Sequence, residues 1–291
     1  MKKTLFKGIA TALITPFKDG RVDYSALSNL IELQIYGGVD AIVVCGTTGE
    51  SPTLSLAEHE GIIKYAVRIS AGRIPVIAGV GSNDYQKAVH LSEFASKEGA
   101  DGLLVVTPYY NKATEKGILQ YYGGISSVSE CGVIAYNVPT RTGYNLTPEI
   151  YSKLYKEGFI QGIKEAKNDV AEAARTLALC GEGICVYSGN DNLLLPFLSL
   201  GGAGCISVAS NVIPAVMKKI YLDYINGNTE ESKKQFLHYL KFFDGLFLEV
   251  NPVPIKRCAE LMGLCDGEIR LPLTAYEGGG MERLLKEYRL I

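Results

Sequence analysis

Eight short apolar runs recur along this chain, and a helix-like segment stands between each and the next. The runs cover 8–16, 41–46, 74–80, 102–107, 132–138, 159–165, 185–189 and 203–209. Each is rich in Val and Ile and apolar nearly throughout, which is how strands buried on both faces of a parallel sheet read. Several intervening segments carry helix-start chemistry. Ser55 followed by Glu58 is a capping box before a helix to about Ile69. Thr147 followed by Pro148 places a cap before a proline at the first helical position. Asp23 can cap the first helix. About eight strand–helix repeats, roughly 30 residues apart, describe a (β/α)8 TIM barrel. A doubly wound open sheet is the main rival, but no GxGxxG follows the first run and the repeat continues too long for it.

Beyond about residue 211 the pattern turns helical, over Lys218–Ile225, Thr229–Val250, Val253–Leu261 and Met281–Arg289. These segments predict a barrel catalytic domain over 1–225 and a C-terminal helical extension over 226–291 packed on it. No linker or low-complexity segment separates them.

Composition removes several function classes. The 291 residues carry a formal net charge of -2, which offers no electrostatic footprint for nucleic acid or an anionic membrane. No apolar run approaches the roughly 18 residues that a membrane span needs. Lys2, Lys3 and Lys7 before the apolar stretch Gly8 to Phe17 faintly resemble a signal peptide. Lys7 crowds that stretch, Pro16 closes it, and no small-residue cleavage site precedes the charged turn Lys18 to Arg21, so a first strand is the better reading. The seven cysteines are scattered, with no CxxC pair, which fits free thiols in a reducing cytoplasm. His59, His90 and His238 lie far apart, so neither a metal site nor a catalytic triad is expected.

In a barrel, side chains at the C-terminal strand ends and in the following loops form the active site. Lys164, in the run Phe159 to Ala166, is the only lysine deep in a predicted strand. Strand alternation puts it opposite Ile163. If that face is the barrel interior, loss of water disfavours the ammonium, and a neutral amine is a nucleophile toward carbonyls. A lysine snorkelling at the rim or paired with a carboxylate is the competing reading.

Other polar residues fall at the same end. The second run closes in Cys45-Gly46-Thr47-Thr48-Gly49-Glu50-Ser51, where hydroxyls and backbone N–H groups make an anion-binding turn, or an ordinary strand–helix turn. The fourth closes in Thr107-Pro108-Tyr109-Tyr110-Asn111, and the fifth in Tyr136-Asn137-Val138-Pro139-Thr140-Arg141. Tyrosines there either pack with a wet hydroxyl or pass protons. Arg141 either clamps a carboxylate or is a solvated loop charge. The seventh ends in Tyr187-Ser188-Gly189-Asn190-Asp191, and the eighth carries Ile206 and Ser207. The glycines at 201, 202 and 204 precede the eighth strand, at the end of the barrel where phosphate sites are not built. A lysine, two tyrosines, two threonines and an arginine converging on one barrel end argue for an enzyme.

The stretches GTTGES (46–51), VTPYYN (106–111), YNVPTRTG (136–143), GIKEA (162–166), YSGND (187–191), CISVASN (205–211), NPVPIK (251–256) and RLPL (270–273) resemble the dihydrodipicolinate synthase family, in order and over the full length. Single motifs are shared with relatives such as N-acetylneuraminate lyase. The resemblance implies condensation of pyruvate with L-aspartate-4-semialdehyde to 4-hydroxy-tetrahydrodipicolinate, at the entry to lysine and diaminopimelate biosynthesis. It implies that Lys164 forms an imine with pyruvate. Tyr136, Thr47 and Tyr110 would relay protons, Tyr110 reaching into a neighbouring subunit. Thr48 would hold the pyruvate carboxylate and Arg141 that of the semialdehyde, with Gly189 and the Ile206 carbonyl lining the site. It further implies a homotetramer, a dimer of dimers, with no metal and no organic cofactor.

Lysine-inhibited members bind L-lysine at positions that here read Ser51, Leu56, His59, Asn83, Lys87 and Tyr109. Leu56 replaces a histidine and Lys87 a glutamate, so weak or absent lysine inhibition is expected. Two rivals stay open. A pyruvate-dependent sugar-acid lyase shares the lysine but typically lacks an arginine at position 141. A catalytically silent metabolite-binding barrel would need no imine-forming lysine.

Overall fold

The computed structural model describes residues 5–181 and 183–291. Lys2 and Lys3 lie outside the described residues. Eight parallel strands close into a barrel with helices between them. In chain order they are Gly8–Ala12, Ala41–Val44, Val76–Gly79, Gly102–Val106, Gly132–Asn137, Gly162–Glu165, Cys185–Ser188 and Gly204–Ser207. All eight expected runs are strands. They are shorter than the apolar runs because apolarity continues into the loops at both ends. Leu13 and Ile14, for example, are buried but leave the ladder, and the Ile14 N–H donates to Asn211 Oδ1 at 3.0 Å.

Alternation along the strands sorts the core into two layers. Ala10, Val43, Ile77, Leu104, Ile134, Tyr136, Tyr187 and Ile206 fill the barrel interior. Ile9, Ile42, Val44, Leu103, Val133 and Ile163 pack outward beneath the helices. Lys164 is the register partner of Tyr136 on one side and of Tyr187 on the other. It therefore shares their inward face, opposite Ile163.

The helix signals act at their expected places, with one exception. Ser55 and Glu58 form the capping box of helix Leu56–Ser70. Asp23 Oδ1 accepts the Ala26 N–H at 3.0 Å. Thr147 stands at the cap position before Pro148, but its side chain makes no capping hydrogen bond. A short hairpin, Phe17–Lys18 with Arg21–Val22, surrounds the charged turn at Asp19 and Gly20.

One boundary needs correction. The helix expected over Thr229–Val250 ends at Gly245. Asn251 precedes Pro252, and a residue before proline is driven out of the helical region. Residues 246–251 therefore form a loop that turns back over the barrel mouth. Helices Val253–Leu261 and Gly280–Glu287 follow. No helix among the described residues is long and apolar enough to cross a membrane.

Candidate active site

The C-terminal strand ends surround a cavity of about 190 Å³ whose walls include Thr48, Tyr136, Arg141, Lys164, Gly189 and Asn251. Lys164 is only 5% exposed, and its Nζ lies 4.5 Å from the centre of the Tyr136 ring. This geometry follows from the register: two neighbouring strands place the two side chains at one height, both facing the barrel axis.

The turn after the second strand is held from below by a buried ion pair. Lys256 Nζ donates to Glu50 Oε1 at 2.5 Å, with both side chains 1% exposed. The other carboxylate oxygen of Glu50 accepts the Arg270 N–H at 3.1 Å. Glu50 and Cys45 both have positive φ, near 55°. That left-handed conformation costs a non-glycine residue energy, and it is kept where surrounding contacts over-determine it. The strained turn presents Thr48, whose Oγ1 accepts a hydrogen bond from Asn251 Nδ2 at 3.0 Å. Thr47 lines a smaller adjoining cavity that shares Tyr136 as a wall.

Arg141 sits in the short helix Pro139–Thr142, at the exposed rim. One guanidinium nitrogen donates to the Asn251 carbonyl at 3.0 Å, which leaves further N–H groups for a ligand. Gly189 donates its N–H to the Glu165 carbonyl at 2.7 Å. A Cβ at Gly189 would meet that of Ala166 at 2.7 Å, so only glycine fits there.

The side chains of Ile206 and Tyr110, expected to serve through a backbone carbonyl and in a neighbouring subunit's site respectively, are not among the walls of this cavity. Ile206 is buried in the inner barrel layer, and Val208 lines the cavity near it. Tyr110 is 92% exposed with φ 70°, and it does not line its own chain's cavity.

Two buried carboxylates lie close to Lys164 in the fold, Glu165 on the same strand and Asp191 just after the neighbouring seventh strand. Asp191 is 1% exposed and accepts the N–H groups of Val208 and Ala209 at 3.1 and 3.0 Å. It thereby ties the end of the seventh strand to the end of the eighth. Burial raises its pKa, against the lowering pull of these hydrogen bonds and of the Lys164 charge.

Glu165 points outward from the strand that carries Lys164. It accepts from Asn137 Nδ2 at 3.1 Å, the Tyr151 hydroxyl at 3.0 Å and the Lys167 N–H at 2.8 Å. Burial pushes its pKa up to about 7, aided by the charge of Glu172 and opposed by those hydrogen bonds. A carboxyl whose pKa is raised by folding keeps its proton while the unfolded chain has lost it. Stability should therefore fall as pH rises from about 4.5 to about 7, and level off above. Urea unfolding should show wild type losing ground to Glu165→Gln across that window. A pH-independent difference between the two would contradict this.

Comparison with known proteins decides the family. The family model described as the dihydrodipicolinate synthetase family matches residues 5–287. The chain belongs to this family. The 4-hydroxy-tetrahydrodipicolinate synthase of Citrifermentans bemidjiense is 44% identical over 290 residues, covering 99% of this chain and 100% of that one. The crystal structure of dihydrodipicolinate synthase from Thermotoga maritima superposes with a TM-score of 0.95 at 41% identity, covering 98% and 99% of the two chains. A structure described as a monomeric dihydrodipicolinate synthase variant gives the same TM-score, 0.95, at 41% identity, covering 98% of each chain. As a dihydrodipicolinate synthetase family member the chain is an enzyme, a lyase of the dihydrodipicolinate synthase type.

Within this family frame, three residues of the site escaped sequence reading. Asp191 and Glu165 sat inside noted motifs, but nothing local distinguishes a buried carboxylate from a solvated one. Asn251 opens the NPVPIK motif, some 200 residues from Thr48. Its proline neighbour was the available signal, since it ends the preceding helix.

Proposed function

We propose that this chain condenses pyruvate with L-aspartate-4-semialdehyde through a Schiff base on Lys164, giving 4-hydroxy-tetrahydrodipicolinate at the entry to lysine and diaminopimelate synthesis. The observation that carries the reading is a buried lysine inside the barrel, stacked on Tyr136 and facing a cavity with Arg141 at its mouth.

In this reading the neutral Lys164 amine attacks the keto carbon of pyruvate, and the carbonyl oxygen leaves as water. The protonated imine is an electron sink, so a methyl proton is lost and an enamine forms. The enamine carbon attacks the aldehyde. The semialdehyde's own amine then adds at the imine carbon and expels Lys164, closing the ring. Because the imine itself accepts the electron pair, the sequence of steps needs neither a metal nor an organic cofactor. Thr48 holds the pyruvate carboxylate and Arg141 that of the semialdehyde. Tyr136, Thr47 and Tyr110 relay protons. The 92% exposure of Tyr110 suits a side chain that enters a neighbouring subunit's site, in a homotetramer built as a dimer of dimers. Gly189 and the Ile206 carbonyl line the site. The seven cysteines are all free, in keeping with a cytoplasmic enzyme.

A steady-state comparison of aspartate semialdehyde, supplied with pyruvate, against N-acetylneuraminate tests the assignment. Turnover of the semialdehyde alone is expected. Cleavage of the sugar acid as the better reaction would overturn it.

Feedback by L-lysine should be weak or absent. Leu56 is 44% exposed and offers no polar group where an effector would need one. The charge of Lys87 reaches His59, whose pKa is lowered to about 4, chiefly by burial. That cation would also meet the ammonium of lysine, where like charges cost affinity. Activity at about 0.1 mM L-lysine, a tenth of a millimolar dissociation constant and so roughly 10% occupancy, should stay near the uninhibited rate. Strong inhibition at sub-millimolar concentration would contradict the reading.

A further inference from the structure

Asp191 is 1% exposed, and four groups meet its carboxylate: the N–H groups of Val208 and Ala209 at 3.1 and 3.0 Å, the Ser207 hydroxyl and, at 4.0 Å, the Cys205 thiol. The Ser207 oxygen accepts the Ser210 N–H at 2.9 Å, which leaves its own proton for the carboxylate. All four partners donate, and none of them is charged. A protonated carboxyl would need an acceptor for its hydrogen and finds none among them, so this environment holds Asp191 ionised. A buried charge ordinarily sits against an opposite one. The opposite charge here lies across the wall of the cavity. The strand Cys185–Ser188, which Asp191 follows, is bonded on one side to the strand of Lys164 and on the other to the strand that ends at Ser207. Gly189 and Asn190, just before Asp191, and Val208, bound to it, line the same cavity as Lys164. Lys164 is itself 5% exposed, with its amine over the Tyr136 ring. The two charges bear on each other, but the hydrogen bonds of Asp191 go to the wall and not to the amine.

We infer that Asp191 is a charged positioning residue: it fixes the cavity wall at Val208, and its negative field keeps the imine on Lys164 protonated without touching substrate. This rests on the proposed condensation. The protonated imine is the form that takes up the electron pair of the methyl C–H bond, and the proton on nitrogen stays in place during that step. Arg141 and Lys167, which line the same cavity, act against a further cation there, so the imine needs an anion nearby. Tyr136 and Tyr187 flank Lys164 on the two neighbouring strands, and Cys205 faces the carboxylate from the eighth. Asp244 stands on the exposed side of the helix behind Asn192.

Asp191→Asn removes the charge and keeps the hydrogen bonds. The amide oxygen accepts the two N–H groups, and the amide NH2 donates to the second lone pair of the Ser207 oxygen. The readout is the 15N resonance of the pyruvate imine in enzyme carrying 15N-labelled lysine, followed against pH at saturating pyruvate. Removing one charge inside a protein shifts a protonation equilibrium roughly tenfold. The imine of Asp191→Asn should therefore need about ten times more protons than that of wild type to be half-protonated. Exchange of the pyruvate methyl protons with deuterated solvent should follow, the ratio of variant to wild type falling as pH rises. Ser207→Ala disturbs the same corner but leaves the carboxylate, and its imine should titrate where the wild-type imine does. Equal midpoints in Asp191→Asn and wild type, an exchange defect of one size at every pH, or a Ser207→Ala midpoint shifted as far as that of Asp191→Asn would assign a merely structural role and overturn the inference. Wild type decides alone if Asp191→Asn does not fold: its imine should be protonated at about pH 8, and a neutral imine there overturns the inference too. Absence of any imine resonance on wild-type enzyme would instead sink the condensation reading, and this inference with it.

Discussion

Lys164→Ala should lower kcat/KM by about four orders of magnitude or more, which is about 5 kcal/mol of transition-state stabilisation. No neighbouring group can replace an amine that bonds covalently to the substrate. The fold should survive the change. The lysine stands over the Tyr136 ring at the barrel mouth, and removing it also removes the cost of keeping a polar amine from water. Steady-state kinetics with circular dichroism on the same sample checks both halves. A variant with native spectrum and near-native turnover would leave the mechanism without its centre. An unfolded variant would give the lysine a structural role that the geometry does not predict.

The second large effect lies about the ion pair beneath the turn. Lys256 and Glu50 are each 1% exposed, Lys256 also donates to the Glu268 carbonyl at 2.6 Å, and its Nζ lies 4.2 Å from the Phe17 ring centre. Burial lowers the Lys256 pKa, and the Glu50 charge opposes that shift. Removing one member of such a pair strands a charge in the interior, at a cost of about 3–5 kcal/mol. Lys256→Met should therefore lower the midpoint of thermal unfolding by roughly 6–20 °C, taking about 2–4 °C per kcal/mol for a chain of this size. Activity should fall as well, because Glu50 holds the turn that presents Thr47 and Thr48. The double variant Lys256→Met with Glu50→Leu strands no charge, so it should regain much of the stability. It should not regain the activity, since the Arg270 N–H would lose its acceptor and the turn its anchor. Differential scanning calorimetry on the two variants decides the point. A single variant as stable as wild type would show that the pair is solvated in solution and that the turn is held by other contacts.

The barrel was legible because its determinants are local. A parallel strand buried on both faces must be apolar throughout, and eight such runs with helix caps between them leave little choice of architecture. The inward direction of Lys164 was legible for the same reason: it follows from alternation against Ile163 once the strand is placed. The site's outer parts were less accessible. Tyr110 follows the fourth strand in a loop, where strand alternation no longer fixes a side chain's direction; it is exposed and does not line its own chain's cavity. Ile206 was rightly placed on the eighth strand, and its side chain belongs to the inner core layer. The overlong helix after Thr229 was an error of periodicity read past its end. Phe247, Leu248 and Val250 continue an apolar pattern, although all three are exposed in the loop. Extending the helix through them was the error, and the proline at 252 was the better guide.

Glu50, Lys256 and Arg270 illustrate a different limit. Each is an ordinary charged residue in its own segment, and more than 200 positions separate the first from the other two. Nothing in the local sequence distinguishes a lysine that will be sealed under a catalytic turn from one on a solvated helix face. Only closure of the barrel and docking of the C-terminal helices bring the three together.

Sodium borohydride reduction of the enzyme in the presence of pyruvate, followed by peptide mass mapping, tests the core of the account most directly. The predicted result is irreversible inactivation, with one pyruvate-derived adduct on the peptide containing Lys164 and none on Lys167 or Lys256. An unmodified Lys164 together with full retained activity, or an adduct on another lysine, would contradict it.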